Sequence, residues 1–63
     1  MKEEIWKSLY SIKPQARQWT IKRMNKLKLY VWNDEKFWFD LQRKPEEIPS
    51  IIIRAMHNYK ILK

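Results

Sequence analysis

A chain of 63 residues without a single glycine has few ways to reverse direction. Only glycine takes positive φ without steric cost, so Asn, Asp, Ser or Pro must make each turn. Cysteine is absent as well, which removes disulfides and thiolate metal sites. His57 is the only histidine, too few for an ordinary zinc site, and no cofactor is expected. A domain this small buries only about 60% of the surface its unfolded chain exposes. Its stability therefore rests on packing, and four tryptophans, three tyrosines and two phenylalanines supply the largest apolar area per residue. Pairing into a homodimer is one way such a core could be extended.

The hydropathy pattern predicts one α+β domain over residues 1–63, in the order helix, helix, β-hairpin, helix. Residues 2–12 read as a first amphipathic helix: Ile5, Leu9 and Ile12 recur at i, i+4 and i+7, beside Trp6 and Tyr10. Glu3 and Glu4 lie in its first turn, where the helix dipole favours anions. Pro14 suits the start of a second helix, expected over about 14–26, with Ala16, Thr20, Met24 and Leu27 inward, Ile21 at one edge and Trp19 at the border of the core. From Leu27 to Leu41 the pattern alternates, broken at Asn33-Asp34-Glu35, and reads as a hairpin. A three-residue loop pairs Val31 with Phe37, Leu29 with Phe39 and Leu27 with Leu41 on one apolar face. The opposite face then pairs Trp32 with Lys36, Tyr30 with Trp38 and Lys28 with Asp40. Residues 42–50 read as a connector containing two prolines, and Ser50 as the cap of a final helix over about 50–61. The inward stripe of that helix is Ile51, Ile52, Ala55, Met56, Tyr59 and Leu62.

Charge is distributed unevenly. The formal net charge is +7, yet residues 1–12 balance Lys2 and Lys7 against Glu3 and Glu4. Lys13, Arg17, Lys22, Arg23, Lys26 and Lys28 fall between positions 13 and 32, where there is no acid. Residues 33–50 are net acidic, and Arg54, Lys60 and Lys63 close the chain. Surfaces that serve solubility alone normally interleave both signs, so an acid-free block favours an anionic partner.

A basic helix followed by a two-stranded ribbon is the order of a winged helix–turn–helix, in which the helix enters the major groove and the wing grips the backbone. In that winged-helix-like reading, Gln18 and Asn25 face adenine edges, and Lys22 and Lys26 reach guanine acceptors or phosphates. Arg17, Arg23 and the wing's Lys28 and Lys36 clamp phosphates, and Lys13 is a further nucleic-acid-binding residue. Tyr30, Trp32 and Trp38 form an aromatic contact face on the hairpin. The expected function is nucleic-acid binding, with duplex DNA favoured, as in a transcriptional regulator or an accessory factor of a phage, virus or mobile element. RNA or single-strand binding on the aromatic face is one alternative. A protein-interaction module that engages an acidic partner, such as a viral inhibitor of a host enzyme, is another.

Catalysis needs a nucleophile–base pair, a carboxylate dyad or a metal in a pocket, and none is evident, so an enzyme is not expected. Apolar residues recur only at short intervals, which gives neither a membrane span nor a secretory leader; with the lack of cysteine, this predicts a cytoplasmic protein. The segment Ser8-Leu9-Tyr10-Ser11-Ile12-Lys13-Pro14-Gln15-Ala16-Arg17-Gln18-Trp19 resembles a short reverse-transcriptase segment of copia-type retroelements. The resemblance spans about a dozen residues and brings no catalytic aspartate with it.

Overall fold

Met24, Leu27 and Val31 lie three and four residues apart, and the backbone follows that helical spacing rather than the alternation around it. The computed structural model describes residues 2–12, 17 and 19–62. They form four α-helices, α1 (Lys2–Leu9), α2 (Ile21–Val31), α3 (Glu35–Arg43) and α4 (Ile48–Asn58), with a 3-10 turn at Pro45–Glu47. Among the described residues there is no strand.

The expected hairpin, and with it the α+β winged-helix class, is therefore corrected to an all-helical fold. Separations of four residues, such as Leu27 to Val31 and Phe37 to Leu41, suit a strand face and a helix face equally. The residues between them decide. Leu29 is 81% exposed and Phe39 57%, as helical rotation requires, whereas Met24 and Trp38 are buried at 1% and 2%. Asn33-Asp34-Glu35 joins two helices: the Asp34 carboxylate accepts a 3.1 Å bond from the Phe37 amide and so caps the start of α3. None of the three polar-face pairs forms. Trp32 instead lies beside the ammonium groups of Lys2 and Lys28, 5.7 and 5.3 Å from its ring centre. Tyr30 stacks on Tyr59 at 5.4 Å, and Lys28 pairs with Glu3.

The other helices shift less. The first ends at Leu9, earlier than expected, with Trp6 and Leu9 buried. The second begins at Ile21, and Thr20 is not an inward residue but the cap, its hydroxyl accepting from the Arg23 amide. The part of the expected second helix at residues 14–16 and 18 lies outside the described residues. The last helix starts at Ile48 with Pro49 in its first turn, where proline lacks only an orphan N–H, so Ser50 is helical and not a cap. Its Ile52, Ala55 and Met56 are buried and Ile51 and Tyr59 half-buried.

One apolar cluster holds these elements together. Trp6 carries α1 onto α3, its ring 6.2 Å from Phe37 and 5.7 Å from Trp38. Helix α4 packs against both α2 and α3 and brings in Ile52, Ala55 and Met56. Trp19 is buried, as its place at the border of the second helix predicted. Two of the buried indoles find acceptors: Trp38 Nε1 donates to the Val31 carbonyl at 2.8 Å and Trp6 Nε1 to the Tyr10 hydroxyl at 3.1 Å. Among the described residues no buried side-chain nitrogen or oxygen lacks a partner.

Candidate nucleic-acid interface

Helix α2 contains no acidic residue, and its apolar stripe turns inward, which leaves Lys22 and Lys26 on the outside. Lys22 and Lys26 are exposed one turn apart; Arg23 is half-buried between them and the core. With Thr20 and Ile61 these three line an open cleft of about 360 Å³ at the N-terminal end of the helix. The far wall comes from the end of the chain. After α4 the backbone reverses at Lys60, with the Ile61 amide donating to the Met56 carbonyl at 2.8 Å and the Lys60 amide to that of His57 at 3.1 Å. This 6→1 and 5→2 pair closes the helix and turns Ile61 back towards α2. None of the described lining residues is acidic.

Three acids outside α2 are engaged elsewhere. Glu3 accepts from Lys28 at 2.9 and 3.1 Å, and that bond holds its carboxyl below the ordinary value of 4.5. Glu35 lies 3.8 Å from Lys2. Asp34 takes the Tyr59 hydroxyl at 2.9 Å on its second oxygen, which raises the tyrosine pKa above its ordinary value. Because Glu3 is exposed and Lys28 only half-buried, solvent screens the pair and its contribution to stability is modest. Its consequence is positional: Lys28 is committed to α1.

The expected site residues thus separate into groups. Lys22, Arg23 and Lys26 come together at the cleft, and Arg17 is exposed in a turn preceding α2. Lys13 and Gln18 lie outside the described residues. Asn25 is on the outer face of α2, but its Oδ1 accepts from the Tyr10 hydroxyl at 2.5 Å. Lys36 belongs to another depression of about 190 Å³ between α3 and α4, which it lines with Asp34, Asp40, Arg54 and Tyr59. The aromatic contact face does not assemble as drawn for a hairpin. Trp38 is in the core at 2% exposure, Trp32 is half-buried against it at 5.7 Å, and Tyr30 is stacked on Tyr59.

The sequence pattern missed Ile61 and the turn at Lys60. They lie more than thirty positions from Lys26, and only the packing of α4 on α2 brings them near. No family model matches the chain, and comparison with curated proteins and with solved structures finds no match. No helix among the described residues is long and apolar enough to cross a membrane.

Proposed function

We propose that the protein binds nucleic acid, with duplex DNA favoured, through phosphate contacts at the N-terminal half of α2. The observation that carries this is the cleft at which Lys22 and Lys26 are both exposed, and whose described lining contains no acid. A polyanion gains there from several cations at once, whereas a solvated mixed-sign surface would offset them. Arg17, which precedes α2, and Lys60, which follows α4, are further exposed cations. Duplex is favoured over single strand because the expected stacking platform does not assemble: Trp38 is in the core, Trp32 packs against it and one face of Tyr30 is taken by Tyr59. The site of action would be the cytoplasm, a reading supported by the cysteine-free composition.

Salt dependence tests this directly. With roughly four phosphates neutralised, log K against log[salt] should fall with a slope of about −3 to −4 on duplex DNA. Lys22→Ala combined with Lys26→Ala should lower affinity at low salt and bring the slope closer to zero by about two. Salt-independent affinity, or the absence of a complex with any nucleic acid at low salt, would remove the proposal.

A further inference from the structure

We infer that the described outer face of α2 grips the phosphodiester backbone of duplex DNA without reading base sequence. The inference rests on the nucleic-acid proposal and specifies the class of partner. Direct readout in the major groove uses side chains that offer paired contacts: Arg or Lys to guanine, Asn or Gln to adenine. Along the outer face of α2, positions 22, 25, 26 and 29 follow helical spacing and hold Lys, Asn, Lys and Leu. Asn25 is the one amide in that row.

Its acceptor is already committed. The Asn25 Oδ1 takes the Tyr10 hydroxyl proton at 2.5 Å, and the same hydroxyl oxygen takes the Trp6 indole N–H at 3.1 Å. Trp6 is 1% exposed, so the relay is anchored in the core. Pairing with adenine needs that oxygen to accept from the N6 amino group while the amide nitrogen donates to N7. Satisfying the base would break the relay. Lysine is a compact charge on a flexible stem, suited to phosphate and weak in planar discrimination. Leu29 carries no hydrogen-bonding group. Arg23, the one guanidinium of α2, is half-buried in the cleft wall and does not belong to the outer row.

The test measures fluorescence anisotropy of the full chain with three labelled duplexes of equal length, one A·T-rich, one G·C-rich and one mixed. Their dissociation constants should agree within about threefold, less than the roughly fivefold that one good base contact brings. Lys22→Ala and Lys26→Ala should weaken all three by a common factor, and Asn25→Ala should leave their ratios unchanged. Ratios cancel any change in the folded fraction, so a destabilised variant still gives an answer. A preference of about fivefold or more for one duplex overturns the inference while leaving nucleic-acid binding intact, and its loss in Asn25→Ala would name the reader. Binding to none of the three overturns the underlying proposal instead.

Discussion

Lys60 shows what a glycine-free chain does when a helix must end in a left-handed residue. Its φ is 60°, the one positive value outside glycine among the described residues, and it occupies the position where glycine is the usual choice. A side chain in that region costs about 1–2 kcal/mol. Glycine would relieve this but add about 0.5–1 kcal/mol of unfolded-state entropy. Lys60→Gly should therefore raise stability by roughly 0.5–1 kcal/mol, read as a melting temperature several degrees higher by circular dichroism. A lower melting temperature would mean that the lysine side chain supplies contacts worth more than the backbone cost. The same scale explains why the aromatic residues serve the core. Trp38 and Trp6 each bury a polar N–H and each finds an acceptor, Val31 O and Tyr10 Oη, so neither is free to meet a ligand.

At the level of elements, the central question is why residues 27–41 form two helices. Over runs as short as Leu27–Val31 and Phe37–Leu41, alternation and helical periodicity share their end residues. Capping breaks the tie: Thr20 and Asp34 each satisfy an amide at the start of α2 and α3, and the Lys2 ammonium donates to the Trp32 carbonyl at 2.7 Å beyond the end of α2. The two geometries differ most at Leu29. In a hairpin Leu27 and Leu29 would share the buried face and cost alike when truncated. In the helix Leu27 is fully buried and Leu29 is 81% exposed. Leu27→Ala should cost about 2–5 kcal/mol in urea unfolding, enough to leave so small a domain largely unfolded. Leu29→Ala should stay within about 0.5 kcal/mol of the parent. Equal losses at the two positions would contradict the helical register.

For the molecule as a whole, one charge distribution has two opposite consequences. The radius of gyration of 10.5 Å matches the roughly 10.6 Å expected of a compact chain of this length. A net charge of +7 is thus confined within extents of 27 × 23 × 18 Å. The Debye length is about 30 Å at 0.01 M salt and about 8 Å at 0.15 M, so like charges across the fold interact in the first condition and are screened in the second. The melting temperature of the free protein should accordingly rise between those concentrations, while its affinity for DNA falls. A melting temperature that falls with salt would mean that the Glu3–Lys28 and Glu35–Lys2 attractions outweigh the repulsion.

Local chemistry was largely legible in the amino-acid order: α1 and α4, the burial of Trp19, Met24, Leu27 and Met56, and the acid-free run that contains Lys22, Arg23 and Lys26 all follow from neighbours within two turns. Spacing within one helix is enough to assign such features, because residues three and four apart share a face. The helical state of residues 27–31 and 37–41, the capture of Lys28 by Glu3 and the return of Ile61 to the side of α2 were not legible in that way. The last two depend on groups far apart in the chain, which meet only when several helices bury their apolar stripes against one another. The first turns on the caps at Thr20 and Asp34, whose signal the alternating pattern masked.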